Sequence, residues 1–175
     1  MKREQLEHII RAACTIADDN ELIIVGSQAI LGQFPAAPDE LLVSMEADVY
    51  PKHYPERADL IDGAIGELSM FHDTFGYYAD GVAPDTAVLP RGWASRSIAI
   101  RGPGTAGNTG WALEIHDLLV SKYVAGRDKD RRFAQCALAH GLASAATLEA
   151  RLVETPIDAK LRARISEWIQ ADCAA

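Results

Sequence analysis

The sequence predicts an α+β fold in which a mixed β-sheet core is followed by a C-terminal layer of helices. Two observations predict this class. Short β-like runs alternate with helical segments between about residues 20 and 115, and the segment from about 116 to 175 has helical periodicity throughout. The 175 residues suffice for one compact domain, 1–175, and are too few for two independent cores.

The first part of the chain is expected to supply two strands and the helices around them. The apolar run over 22–25 does not alternate with polar residues, which is typical of a strand buried on both faces. The run ends at Gly26-Ser27, and Ser27 is expected to cap a short helix. The expected elements are a helix over about 3–18, strands over 22–25 and 41–50, a short helix over 28–33 and a helix over about 55–68.

The rest of the chain is expected to complete the sheet and then to become helical. Short runs with turn residues between them predict strands over 75–82, 96–100 and 111–115, the last two joined by a glycine-rich hairpin loop. Asp117 is expected to cap the first C-terminal helix, which reaches Ala125. Further helices are expected over about 129–140, 147–154 and 156–171.

Charge and composition exclude several classes of protein. The 17 basic and 25 acidic side chains give a formal net charge of −8, which opposes a general affinity for nucleic-acid phosphates. No apolar run approaches the roughly 20 residues of a membrane span, so we expect no membrane insertion and a cytoplasmic location. Cys14, Cys136 and Cys173 lack paired spacing and are expected to be free thiols, and the histidines show no metal-ligand spacing.

The first candidate for a site is the junction at Gly26 and Ser27, where a buried strand meets a helix. Such a junction leaves free backbone N–H groups beside a hydroxyl, and Gly26 has no Cβ to keep a phosphate away. An ordinary helix cap explains the serine equally well. Both interpretations therefore stay open from the sequence.

Glu46 and Asp48 are the second candidate, because residues two apart on a strand point to the same side. The two carboxylates then project together, whereas Ala47 and Val49 face the core. Carboxylates held so close repel each other unless a proton or a cation lies between them, and hard divalent cations prefer oxygen ligands. The alternative is a solvated face at the edge of the sheet.

An acid on a later strand and a basic segment complete the candidates. Asp80 is the preferred third acid and Glu114 its competitor, although a turn position before a glycine also explains Asp80. In the segment 122–132, Lys122 and Arg127 belong to a local excess of basic side chains. Such a field would attract a phosphate, although a solvated helix surface explains it too. If the segment receives phosphates, neutral replacements of Lys122 and Arg127 are expected to weaken phosphate binding with little change in stability.

Together these motifs resemble the polymerase-β-like nucleotidyltransferase superfamily, and more narrowly its small bacterial members related to AbiEii-type toxins. The resemblance covers roughly residues 20–135. It rests on Gly26-Ser27, on Ser44-x-Glu46-x-Asp48, on an acid of a later strand, and on Asp-Leu-Leu-Val-Ser-Lys followed by Ala-Gly-Arg-x-Lys-Asp. The superfamily usually has aspartate where this chain has Glu46.

The resemblance implies a nucleotidyltransferase-like core that moves a nucleoside monophosphate from a nucleoside triphosphate (NTP) to an acceptor hydroxyl on protein or RNA. A cognate partner protein, as in a toxin–antitoxin pair, is a further implication. A catalytically degenerate member that acts as a nucleotide-binding or protein-interaction module is the alternative. The implied residues are Gly26, Ser27, Lys122 and Arg127 for the nucleotide, and Glu46, Asp48 and Asp80 for Mg²⁺ or Mn²⁺ and for catalysis.

Overall fold

A five-stranded mixed sheet forms the centre of the molecule, with the strand order β3-β2-β1-β5-β4. The computed structural model describes residues 1–174. The strands are β1 (Glu21–Ile24), β2 (Glu46–Pro51), β3 (Tyr78–Gly81), β4 (Ile98–Ile100) and β5 (Thr109–Ala112). The helices are α1 (Arg3–Ala17), α2 (Ile30–Gln33), α3 (Ala58–Ile65), α4 (Met70–Phe75), α5 (Trp93–Arg96), α6 (Ile115–Ala125), α7 (Asp128–Ala139), α8 (Ala145–Val153) and α9 (Ala159–Ala174). The α+β prediction is confirmed.

The central strand β1 runs antiparallel to β2 on one side and parallel to β5 on the other. Beyond them, β3 lies parallel to β2 and β4 lies antiparallel to β5. Neighbours on both edges explain why β1 reads as a continuous apolar run, with Leu22 and Ile24 fully buried. The hairpin expected between the last two strands is present, and β3 and β4 are the edge strands of the sheet.

Helix α1 lies against the sheet through one apolar face. Its buried residues recur at intervals of three and four, as an amphipathic helix requires, and they are Leu6, Ile9, Ile10, Ala13, Cys14 and Ala17. Close packing explains Gly110 on β5, because a Cβ there would lie 2.5 Å from Cδ1 of Ile10. Each fully buried leucine or isoleucine of this face contributes about 1.5–3 kcal/mol to folding.

The strand expected over 41–50 is shorter than the apolar run suggested. A 3-10 turn at Asp39–Leu41 buries Leu41, Val43 is exposed, and pairing starts only at Glu46. The run therefore contains one core residue followed by an unpaired segment. The strands expected over 75–82 and 96–100 are also shorter, because the helices Met70–Phe75 and Trp93–Arg96 overlap their starts, and the strand expected over 111–115 lies at Thr109–Ala112.

The C-terminal helices pack on the sheet through α6, which is buried on nearly every side. The expectation that Asp117 caps this helix is wrong: Glu114 is the cap and accepts a hydrogen bond from the backbone N–H of His116 at 3.0 Å. Asp117 is instead fully buried and pairs with Arg96 at 2.9 Å and with Arg151 at 3.3 Å. A buried carboxylate needs such partners, and these two tie α6 to α5 and α8.

One hydrophobic cluster joins the sheet to the helical layer. Leu22 of the sheet, Leu118 of α6, Leu148 of α8 and Ile165 of α9 all belong to it. Among residues 1–174, no helix combines the length and the apolar character that a membrane crossing requires.

Candidate functional site

A cavity of about 730 Å³ lies between the sheet and helices α6 and α7. This volume falls in the range of sites that hold small molecules, roughly 300–1,000 Å³. Strands β2 and β3 supply its acidic wall, and α6, α7 and their connection supply a basic wall. The sequence-predicted residues that line it are Ser27, Glu46, Asp48, Asp80, Lys122 and Arg127.

The acidic wall follows from the register between β2 and β3. These strands run parallel, with Asp48 opposite Asp80 and Glu46 opposite Tyr78. Glu46 and Asp48 share the cavity side of β2, and Ala47 between them is fully buried on the other side. Three carboxylates from two neighbouring strands therefore face one cavity.

Crowding of these acids perturbs their ionisation. Burial, followed by the charges of Glu46 and Asp48, raises the pKa of Asp80 to about 6. Burial and the charge of Glu46 also raise the pKa of Asp48, although the positive charges of Lys122, Lys129 and Arg127 oppose them. Both shifts signal a place where negative charge is concentrated and a cation would be stabilising.

Tyr78 is a site residue that the sequence analysis missed. Its hydroxyl donates a hydrogen bond to Oε2 of Glu46 at 3.1 Å across the β2–β3 pair. Burial and this contact raise the pKa of Tyr78, so it remains a donor at neutral pH. Glu46, whose side chain is longer than that of the aspartate usual in the superfamily, is thus held in position by the Tyr78 hydroxyl.

Gly26 lies so close to Asp48 that a side chain at this position would displace the Asp48 carboxylate. A Cβ at this position would lie 1.9 Å from Oδ2 and 2.6 Å from Cγ of Asp48. The backbone before Gly26 is held to β2, since the N–H of Val25 donates to the carbonyl of Asp48 at 3.0 Å. Because Gly26 has no side chain, the Asp48 carboxylate has room in the acidic wall.

Ser27 does not act as the helix cap that the sequence suggested. Gly26 occupies the cap position of the 3-10 turn Ser27–Ala29, and its cap has no side-chain hydrogen bond. The Ser27 hydroxyl instead accepts a hydrogen bond from Nζ of Lys122 at 2.8 Å. The turn after β1 is thereby joined directly to α6.

The basic wall is organised around the buried carboxylate of Asp130. Lys122, only 8% exposed, donates to Oδ1 of Asp130 at 3.0 Å, and Arg127 pairs with its other oxygen. Burial alone would raise the pKa of Asp130, but these two cations together hold it below its usual value. Gly126, with φ of 66°, allows the turn between α6 and α7 that places Arg127 at the cavity, with its side chain 61% exposed.

Glu114, the competing third acid, lies elsewhere. It caps α6, and its Oε1 is 2.7 Å from Nδ1 of His116. The alternative to Asp80 is therefore not brought to the cavity.

The donor set of the acidic wall suits a hard divalent cation. Carboxylate oxygens are the ligands that Mg²⁺ and Mn²⁺ prefer. Mg²⁺ usually takes only one or two protein carboxylates and keeps several waters, so three carboxylates on one wall suffice for it.

Comparison with known proteins places the chain in a family. A family model described as "Nucleotidyltransferase of unknown function (DUF6036)" matches residues 4–168. No curated protein and no solved structure matches the sequence. The match covers nearly the whole chain, including both walls of the cavity, and the chain therefore belongs to this family of nucleotidyltransferases.

Proposed function

We propose that this protein is a metal-dependent nucleotidyltransferase that moves a nucleoside monophosphate from an NTP to an acceptor hydroxyl on protein or RNA, with release of pyrophosphate. The observation that carries the proposal is the meeting, in one cavity, of three strand carboxylates with the Ser27 hydroxyl and a buried lysine. Family membership supports the class of reaction.

The acidic wall would hold the metal. Glu46, Asp48 and Asp80 are the ligands, and with a pKa of about 6 even Asp80 is mostly ionised at neutral pH. Mg²⁺ or Mn²⁺ in this position would supply charge neutralisation for the phosphate groups. Tyr78 fixes the carboxylate of Glu46, and Gly26 leaves Asp48 its space.

The basic wall would hold the triphosphate. Lys122 acts as a point charge beside the hydroxyl of Ser27, and the exposed guanidinium of Arg127 offers a fork of donors to phosphate oxygens. Lys129 and Arg132 also line this side. Opposite charges on facing walls orient an NTP with its phosphates towards α6 and α7.

The narrower likeness to AbiEii-type toxins rests on Lys122 and on the pair of Arg127 and Asp130 in consecutive helices. That likeness supports a protein or RNA acceptor and a role with a cognate partner protein. Lys122 and Arg127 both bind the carboxylate of Asp130, so the three residues of the signature are in contact with one another.

Transfer of label from each α-labelled NTP to total RNA or to cell protein, with Mg²⁺ or Mn²⁺, tests this function. We expect one acceptor class to become labelled, and we expect Asp48→Asn to abolish labelling. Asp73→Asn on α4, away from the cavity, is the matched control and should retain it. Saturating metal and NTP should also raise the thermal midpoint of the wild type, because a ligand at 100 times its Kd adds about 2.7 kcal/mol. Absence of both labelling and thermal shift would contradict the proposal.

A further inference from the structure

A second group of potential metal ligands lies at the rim of the cavity. Glu40, Cys136 and His140 each offer one donor atom, and the three atoms all lie within 4.8 Å of one another. Glu40 belongs to the 3-10 turn before β2, Cys136 lies on α7, and His140 is the residue that ends α7. Spacing of four residues puts the cysteine and the histidine on one helix face, which is the signal that the sequence analysis overlooked.

Two distances within this cluster are close to those between the ligands of a tetrahedral ion. Oε2 of Glu40 lies 3.3 Å from Sγ of Cys136 and 3.4 Å from Nε2 of His140. Bonds of about 2.3 Å to sulfur and about 2.0 Å to nitrogen and oxygen at tetrahedral angles give about 3.5 Å for S···O and about 3.3 Å for N···O. These two pairs are therefore spaced as ligands of one small ion would be, and the third pair, Cys136 and His140, lies within 4.8 Å.

Hydrogen bonds alone are a weak reason for this arrangement. The side chains of Glu40 and His140 are 75% and 43% exposed, so water competes for both. A thiol is a weak donor, and ordering an exposed glutamate costs side-chain entropy. A cation bound by all three groups would offset that cost.

We propose that Glu40, Cys136 and His140 bind a borderline transition-metal ion, with Zn²⁺ as its representative, in a site separate from the carboxylates of β2 and β3. Sulfur and imidazole nitrogen favour Zn²⁺ and disfavour Mg²⁺. Binding requires the thiolate, so Cys136 releases its proton to solvent when the ion enters. Glu40 and Cys136 also line the cavity, and three protein ligands leave the fourth position open, as in zinc sites that bind a further ligand.

This site would fix one wall of the cavity. The turn that contains Glu40 leads into β2, and α7 contributes Asp130 to the basic wall. An ion held by both elements joins the acidic side of the cavity to its basic side. The inference goes beyond the proposed transfer reaction and does not require it.

Titration of metal-free, reduced full-length protein with Co²⁺ tests the site, because a cobalt–thiolate bond gives a near-ultraviolet charge-transfer band. We expect the band in the wild type, its displacement by Zn²⁺, and its loss in Cys136→Ser. Cys173→Ser is the matched control, since Cys173 is exposed and outside the cluster. Glu40→Gln and His140→Gln should weaken Co²⁺ binding by more than about 10-fold, because loss of even an outer partner of a metal ligand costs about 10-fold or more. Asp39→Asn should leave Co²⁺ binding unchanged.

Alkylation gives a second measurement. Zn²⁺ should protect Cys136 from a thiol reagent, as read by mass spectrometry of peptides, while Cys173 stays reactive. Asp48→Asn should leave band and protection intact, which separates failure of this site from failure of the transfer reaction. No band in the wild type, an unchanged band in Cys136→Ser, or equal alkylation of Cys136 with and without Zn²⁺ would overturn the proposal and leave a hydrogen-bonded cluster without an ion.

Discussion

At the scale of single residues, the acidic wall depends on positions that are not themselves metal ligands. Gly26 provides the space that Asp48 occupies, and the hydroxyl of Tyr78 anchors Glu46. Gly26→Ala adds one methyl group, and Tyr78→Phe removes one oxygen atom. Substitution at these positions therefore tests the geometry without removing a carboxylate.

Gly26→Ala should disrupt the position of Asp48, because the added methyl group would overlap its carboxylate. We expect the free energy of unfolding to fall by about 1–3 kcal/mol, the usual cost of overpacking, and the thermal shift by metal and NTP to vanish. Gly63→Ala is the control, since a Cβ there meets nothing within 4 Å. Equal behaviour of the two variants in urea denaturation would refute the assigned role of Gly26.

Tyr78→Phe removes only the hydroxyl that binds Glu46. We expect the affinity for Mn²⁺ to fall by about 10-fold or more, as when an outer partner of a metal ligand is lost. The neighbouring Tyr77 supplies the control: its hydroxyl is 2.8 Å from Nδ1 of His8, outside the cavity lining. Titration calorimetry should find Mn²⁺ binding unchanged in Tyr77→Phe, and an equal loss in both variants would count against a positioning role for Tyr78.

At the scale of elements, α6 and α7 are joined by a buried ion pair across the turn at Gly126. Lys122 of α6 reaches both Ser27 and Asp130, so three elements meet at one amine. Arg127 belongs to the same group, but its side chain is 61% exposed. The two cations, equivalent in the sequence analysis, are expected to differ in their effect on stability.

Lys122→Met should destabilise the protein by about 3 kcal/mol, because loss of one partner of a buried pair costs about 3–5 kcal/mol and Arg127 still partners Asp130. Arg127→Gln should cost less than Lys122→Met, because the Arg127 side chain is 61% exposed and Lys122 still partners Asp130. Both should weaken NTP binding by about 1–3 kcal/mol. Urea denaturation and calorimetry measure the two effects, and a stable Lys122→Met variant would disprove the structural half of this assignment.

At the scale of the whole molecule, the chain has a formal net charge of −8, and three of its carboxylates are crowded on the β2–β3 wall of the cavity. The pKa of Asp80 lies at about 6, above its ordinary value of 3.8. Between these pH values the folded state binds more protons at Asp80 than the unfolded state does. The contribution of Asp80 to stability is therefore present below this window and is lost as the pH rises through it.

Asp80→Asn should accordingly gain stability relative to the wild type as the pH rises from about 4 to about 7 in the presence of a chelator. The physical reason is removal of a charge that burial and its neighbours disfavour. Urea denaturation at several pH values measures the difference in unfolding free energy. Asp73→Asn on the exposed face of α4 should show no such trend, and a pH-independent difference for Asp80→Asn would contradict the expectation.

Local periodicity was sufficient to find the buried strand β1, helix α1 and the shared face of Glu46 and Asp48. Local periodicity could not predict long-range contacts. Asp48 lies opposite Asp80 because β3 pairs in parallel with β2, and no short motif specifies which strands become neighbours. Burial of Lys122 depends in the same way on the packing of α7.

Two predictions of helix caps, at Ser27 and at Asp117, were wrong because another residue takes the cap position. A serine after a buried strand is typical of a helix cap, but the Ser27 hydroxyl binds a lysine 95 residues further along the chain. The acid at the start of α6 was expected to be Asp117, yet Glu114 lies at the extended position that a cap requires. Competition among several polar residues for one helix start cannot be decided without tertiary contacts.

The register of the sheet has a consequence for folding kinetics. Glu46 of β2 pairs with Tyr78 of β3 across 32 residues, whereas Glu21 of β1 pairs with Thr109 of β5 across 88. Because loop-closure entropy grows with the length of the intervening chain, the β1–β5 pair is expected to form after the β2–β3 pair. The acidic wall would then assemble before β5 brings α6 and α7 to the cavity, so Mn²⁺ affinity should recover during refolding before NTP affinity does.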